Sequence, residues 1–465
     1  MVFSSILFMF IYLPIVLAVY FILPRKWRNL WLFVVNFVFY GWGEPVYVLL
    51  MTFSISLNYF SGRMIDKYRA QDKKARIFLI ANTGINILLL VFFKYFDLLA
   101  ETVSLIPGIN IRPLGLGLPI GISFYTFQNM SYVIDVYRGD TSAQKNYIAY
   151  GTYLALFPQL IAGPIVRYRD VAEQLETRTN SAEQFASGVR RFVIGLAKKT
   201  LIANNIGRLW DIYAETPVSQ LTLVGAWIGI VAFSLQIYFD FSGYSDMAIG
   251  LGKLLGFDFL ENFNYPYISK SVTEFWRRWH MSLSRWFRDY VYIPLGGSRR
   301  GLKRQIFNLL VVWALTGIWH GANWTFLLWG LYYAFFLIIE KVFLLRWLEK
   351  IPNFIGHIYA LFVAVCGWVL FQLGNMEHVF TYYKAMFGFG SGGLISGTDI
   401  YYLSGYLLLI IIGAVASTPL GAKLYQKMPH KVKGVLSPIL VALVLVISTA
   451  YLVDATYNPF LYFRF

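Results

Sequence analysis

Two of the five histidines in this 465-residue chain stand where a side chain could do chemistry. His280 lies in "EFWRRWHMSLSRWFRDYVYIPLGG" (residues 274–297), a stretch that gathers three Trp, four Arg and one His. His320 lies in "TGIWHGANW" (316–324), between the apolar runs 306–319 and 324–339. An ionisable group set between long apolar runs is costly at membrane depth and marks a functional site by default. Gly317 and Gly321 bracket His320 and allow another backbone or a substrate to come close. The competing reading makes His320 a structural link, hydrogen-bonded to Asn323 or to a neighbouring helix.

The chemistry open to these residues is narrow. A metal site is weakly supported, because no H-x3-H or H-E-x-x-H spacing occurs. There is no G-x-S-x-G elbow for a serine nucleophile and no phosphate-binding P-loop. The single Cys366 sits in an apolar run and reads as a buried, inert thiol. General-base catalysis remains: neutral imidazole can take a proton from an attacking hydroxyl. That suits acyl transfer from a thioester, whose carbonyl is already electrophilic.

The elements that must position these groups belong to a membrane protein. Only 14% of the residues are charged and 58% are hydrophobic, where a soluble chain carries about a quarter charged. Apolar blocks at 6–23, 77–93, 221–238, 403–415 and 435–453 approach the ~20 residues that cross a bilayer core. The fold class expected is all-α, a polytopic membrane protein with roughly 10–12 crossings plus re-entrant and interfacial helices. The formal charge of +16 is spread over loops between apolar blocks, at 25–28, 63–76, 167–199, 277–304 and 423–433. Cations so placed follow the positive-inside rule and argue against nucleic acid as a partner. Assigning these loops to the cytoplasm places both termini outside, including the C-terminal "YNPFLYFRF". The first apolar segment lacks an A-x-A-like site and runs into Pro24, Arg25 and Lys26, so it reads as an anchor rather than a cleaved leader. No internal repeat of the transporter kind is found.

Two segments resist simple spanning. "YLALFPQLIAGPIVRYR" (153–169) contains Pro158, Gly163 and Pro164 and is expected to be broken or re-entrant, packed in protein or lining a wet cavity. On a wheel of about 100° per residue, 276–290 splits into two faces. Trp276, Trp279, Leu283, Trp286, Phe287 and Tyr290 form one, and Arg277, Arg278, Ser282, Ser284, Arg285, Arg288 and Asp289 the other. This predicts one amphipathic helix lying at the membrane interface. His280 falls at the margin of the apolar face, either as a satisfied core residue or as part of a site. Pro294, Gly296 and Gly297 then end the helix in a loop carrying Arg299, Arg300, Lys303 and Arg304, suited to phosphates or to lipid headgroups.

Five motifs, read in order, carry a resemblance. "SFYTFQNMSYVIDVYRG" (123–139), "LFPQLIAGPIVRY" (156–168), "YFDFSGYSDMAIGLGKLLGFDFLENFNYPY" (238–267), the Trp–Arg–His stretch and "TGIWHGANWTFLLWG" (316–330) resemble the membrane-bound O-acyltransferase (MBOAT) family, in particular its alginate O-acetylation branch. The likeness runs over essentially the whole chain, as one integral-membrane domain, with a core at about 115–345 flanked by helices at 1–114 and 346–465. It implies a ring of helices around a thin water-accessible channel in a bacterial cell membrane. It matches His320 to the catalytic base and His280 to the second signature histidine. Asp240, Ser242, Asp246, Asn323, Trp319 and Gln128 are the supporting or channel-lining candidates. For the first three, a purely structural role competes with one of orienting the histidines or water. Arg277, Arg278, Arg299 and Arg300 are candidates to steer an anionic donor, with lipid binding as the bland alternative.

The implied reaction moves an acetyl group from a cytoplasmic thioester, acetyl-CoA or another acyl thioester, to a hydroxyl of an exported polysaccharide or of a partner that modifies it. No permanently bound cofactor is expected. The implied partners are the lipid bilayer, an extracytoplasmic acetyltransferase or polysaccharide-modification protein, and an acyl carrier protein as a donor alternative. D-Alanyl transfer toward teichoic acid is the runner-up within the family. A non-catalytic transporter or scaffold is the alternative of another class.

Overall fold

The computed structural model describes residues 1–454 and Leu461. Among the described residues the regular elements are helices, as expected where lipid cannot satisfy open backbone groups. Six are long and apolar enough to cross a membrane: Asp72–Val103, Leu223–Leu254, Trp324–Leu348, Asn353–Gln372, Gly397–Ala416 and His430–Asp454. A total of roughly 10–12 crossings would require less apolar helices as well, such as Arg25–Gly43, Val48–Lys67, Ile122–Arg138 and Leu302–His320. Of the expected C-terminal segment 457–465, only Leu461 lies within the described residues, and its N–H donates to Asp240 at 2.9 Å.

The chain divides into two compact units, residues 1–192 with 245–261, and 193–244 with 262–465. In the first unit, helices Val48–Lys67 and Asp72–Val103 are tied by side-chain amides inside their apolar faces. Asn86 donates to Asn58 Oδ1 at 3.1 Å and to Asn82 Oδ1 at 3.0 Å, which offsets the cost of burying them. The segment with Pro158, Gly163 and Pro164 is broken, as predicted. Helix Tyr147–Ala155 stops, a short turn Phe157–Leu160 follows, and residues 161–167 are irregular although 161–166 are buried. Protein groups satisfy the freed backbone: Phe157 N–H donates to Asn36 Oδ1 at 3.1 Å, and Tyr153 Oη donates to the Val166 carbonyl at 3.0 Å.

In the second unit, Leu302–His320 and Trp324–Ile339 form a tight hairpin. It depends on two glycines. A Cβ on Gly317 would strike the Phe326 carbonyl, and one on Gly330 the Trp313 carbonyl, so only residues without side chains permit this approach.

The Trp–Arg–His stretch departs from its prediction. It is two helices, Val272–Arg278 and Met281–Phe287, followed by a π-helical turn Arg288–Tyr292. The break falls on His280, whose backbone is left-handed (φ 43°, ψ 54°). Its cause is the crossing segment 262–264. The Asn262 carbonyl accepts Met281 N–H at 2.9 Å, Asn262 Oδ1 accepts Ser282 N–H at 3.2 Å, and Asn264 N–H donates to the Arg278 carbonyl at 2.9 Å. These bonds replace the intrahelical ones a continuous helix would make. Nor does the indole face lie in lipid. Trp276 packs on Trp313, Trp329 and Tyr333 with ring centroids 4.7, 5.5 and 4.8 Å apart, and Trp279 packs on Trp368 at 4.8 Å. Ser282, assigned to the polar face, is buried with Asn262. Glu340 anchors the start of the stretch, accepting Val272 N–H at 2.6 Å and Thr273 N–H at 2.8 Å.

Candidate active site

His320 is the last residue of its helix, and the chain turns extended at Gly321 before Asn323 caps the returning helix. The imidazole is 3% exposed. Three rings enclose it edge-on: Trp319 at 5.0 Å, Trp329 at 4.9 Å and Phe371 at 5.4 Å between centroids. The Trp329 indole N–H is buried and has no protein partner, a hydrogen-bond donor still to be used in this aromatic cage. Gly321 is needed for the cage, since a Cβ there would overlap the Phe326 ring that meets Phe371 edge-on.

His280 is 1% exposed and held differently. Its Nδ1 lies 3.1 Å from Asn262 Oδ1 and 3.4 Å from Ser282 Oγ. Asn262 Oδ1 already accepts the Ser282 backbone N–H at 3.2 Å and its hydroxyl at 2.8 Å, which fixes the amide as an acceptor on that side. Nδ1 therefore carries the proton, and Nε2 is the basic nitrogen. Phe241 stands edge-on at 4.8 Å. Burial among such groups pushes the imidazole down to about 3, so the ring is neutral near pH 7.

The Trp319 ring lies 6.2 Å from that of His280 and 5.0 Å from that of its chain neighbour His320. His280 also lines a cavity of about 570 Å³ that reaches Thr316, one turn before His320. Its wall mixes apolar rings with the cations of Arg277, Arg285, Arg288 and Lys341. Two lining donors, the Trp276 indole N–H and the Thr273 hydroxyl, are buried without a protein partner.

The other sequence candidates separate. Asn323 caps the helix after His320 and donates to the Gly374 carbonyl at 2.6 Å. Asp240 forms a fully buried ion pair with Lys199 at 2.6 Å. Ser242 is buried nearby in sequence. Asp246 belongs to the first unit, ion-paired to Arg191 at 2.6 Å, and Gln128 is buried in that unit too. Of the four donor-steering arginines, Arg277 lines the cavity. Arg278 turns to Glu274 at 2.9 Å and to the Asn264 carbonyl at 3.0 Å, while Arg299 and Arg300 are exposed in the turn that follows.

Sequence reasoning missed Asn262, Lys199, Trp329 and Phe371. Asn262 is 18 residues from His280, outside the reach of any helical or strand period. Lys199 had a signal, being one of two adjacent lysines within the otherwise largely apolar run 192–203, but it was absorbed into a basic loop. The two rings looked like ordinary core.

The family model described as MBOAT, membrane-bound O-acyltransferase family, matches residues 140–375. The chain is 37% identical to the probable alginate O-acetylase AlgI of Pseudomonas aeruginosa over 100% of both chains. It is 33% identical to a peptidoglycan O-acetyltransferase of Helicobacter pylori, over 87% of this chain and 82% of that one. With a teichoic acid D-alanyltransferase of Bacillus subtilis the identity is 29%, over 50% of this chain and 60% of the other.

Proposed function

The chain belongs to the membrane-bound O-acyltransferase family, and from that premise we propose that it O-acetylates an exported polysaccharide, with His320 as the base. The full-length likeness to alginate O-acetylases, shared in part by a peptidoglycan O-acetyltransferase, supports the acetyl group and a polysaccharide acceptor. Family membership sets aside the non-catalytic transporter or scaffold. The single observation that carries the site assignment is the Trp319 ring, flanked by two buried histidines on separate elements.

In the proposed reaction an acceptor hydroxyl gives its proton to His320 as its oxygen bonds to the thioester carbonyl carbon. The C–S bond then breaks, and the departing thiolate is protonated by the imidazolium. His320 ends a helix, and the carbonyl end of a helix tolerates the positive charge gained in that step. His280 is neutral and presents Nε2 from a fixed ring, a group that positions the reacting centre. The cavity beside His280 suits a thioester donor: apolar rings for the acyl arm, Arg277, Arg285, Arg288 and Lys341 for phosphates. With the basic loops at the cytoplasmic face, acetyl-CoA or an acyl carrier protein enters there, and the product leaves on the far side with an extracytoplasmic partner.

The test uses purified protein in liposomes with acetyl-CoA carrying a labelled acetyl group and a soluble uronate polysaccharide. Ester-linked label on the polysaccharide, with stoichiometric release of CoA, is the expected result. Transfer only of D-alanine from a carrier protein would move the chain to the teichoic acid branch, which the half-length match leaves as the distant reading.

A further inference from the structure

The first unit contains a second built site, away from any histidine in sequence. A polar cavity of about 490 Å³ is lined by four cations, Arg25, Lys26, Arg28 and Arg178, against the single carboxylate of Glu176. Two of the guanidinium groups are held in place. Arg178 donates through Nε to the Tyr20 hydroxyl at 2.9 Å and through Nη1 to Asn29 Oδ1 at 2.7 Å. Its plane also lies 4.6 Å from the centre of the Phe257 ring. Arg28 lies 4.7 Å over the Tyr20 ring and donates to Asn180 Oδ1 at 3.0 Å and to the Leu23 carbonyl at 3.3 Å. One tyrosine therefore organises both, itself fixed by donating to the Leu255 carbonyl at 2.7 Å.

The hydrogen bonds that fix these guanidiniums go to neutral oxygens, so the cradle keeps its positive charge. Arg178 Nη2 is buried with no protein partner, a donor still to be used. Burial draws the Arg178 pKa below its ordinary value, opposed by Tyr20 and reinforced by Arg28. Two cations sharing a rim repel each other, and an anion between them relieves the strain. Helix Tyr147–Ala155 begins at the same cavity, with Asn146 and Ala149 in its wall, and the N-terminal end of a helix favours negative charge.

We propose that this cradle binds a phosphate ester, with Arg178 Nη2 and the Arg28 guanidinium on its oxygens. Charged donors from two guanidiniums fixed at one cavity suit the several oxygens of a phosphate, and the volume of about 490 Å³ admits a headgroup rather than a bare ion. Two sources carry that chemistry, an anionic phospholipid headgroup and a soluble phosphate ester.

The full-length protein, purified in a mild detergent, is titrated in native mass spectrometry with phosphatidylglycerol, phosphatidylcholine, glycerol 3-phosphate and inorganic phosphate. Arg28→Gln is compared with the double variant Arg25→Gln/Lys26→Gln at exposed side chains, with the Tm of each variant measured to keep the test independent of stability. The expected result is tighter binding of phosphatidylglycerol than of phosphatidylcholine, with about a tenfold loss in each variant. The same losses for glycerol 3-phosphate or inorganic phosphate, without lipid preference, would assign the site to a soluble ester. Binding of none of the four ligands overturns the proposal, as does binding indifferent to both substitutions.

Discussion

His280 and His320 are equally buried and flank one indole, yet they are built in opposite ways. His320 is caged by rings and sits at a helix end. His280 is held by a polar triad with Asn262 and Ser282, in a strained left-handed backbone between two short helices. A ring cage of Trp319, Trp329 and Phe371 surrounds the imidazole with apolar edges and keeps bulk water from it. A polar triad spends one nitrogen on orientation and fixes the tautomer of the other. The contrast separates a group suited to exchanging a proton from one suited to staying still and neutral.

The largest effect should come from His320→Ala. Loss of a general base costs roughly 10²–10⁴ in rate, and acetyl transfer should fall by at least that much while the protein stays folded in detergent. Asn262→Ala comes next. It frees the His280 tautomer, and we expect a loss in kcat of roughly 10- to 100-fold with KM for the donor less affected. Equal loss in Asn262→Ala and in a thermally matched core variant would reduce the triad to packing. Arg277→Gln, in the cavity wall, should act the other way, raising KM for a phosphate-bearing donor about tenfold with kcat preserved. An unchanged KM at low salt would remove the cavity from donor binding.

The smallest effect is on stability against pH. His280 titrates near 6.5 when unfolded and at about 3 when buried. Between those values the unfolded chain binds the extra proton, so stability is lost as pH falls from about 6.5 toward 3 and is unaffected above. His280→Gln should flatten that part of the curve of Tm against pH. Identical curves for the two proteins would mean that the triad does not hold the ring neutral.

Much of the fold was legible because lipid imposes it. Apolar blocks became helices, and the Pro–Gly segment at 153–169 became the buried, broken element it suggested. The glycines beside His320 suggested a close approach of another backbone, and Gly317 makes one against the Phe326 carbonyl. What failed was the wheel through 276–290. A wheel reads only local period, and the break at His280 is made by Asn262 from another segment. The same blindness to distant partners hid the Lys199–Asp240 pair and left Asp246 grouped with the histidines, although its carboxylate engages Arg191. Indoles and arginines on opposite faces implied a membrane surface. The indoles of Trp276 and Trp279 instead pack on Trp313, Trp329 and Trp368, because the aromatic residues of the hairpin and of helix Asn353–Gln372 present a better apolar partner than headgroups.

The central claim, that His320 takes the proton of the attacking hydroxyl, is tested most directly by changing the nucleophile. Folded His320→Ala protein is given acetyl-CoA with either a polysaccharide hydroxyl or hydroxylamine, which attacks thioesters without a base. Transfer to the hydroxyl should fall by at least about 10²-fold, while transfer to hydroxylamine above the uncatalysed blank stays within about tenfold of the unsubstituted protein. Hydroxyl acetylation that persists at full rate in the folded variant would contradict it.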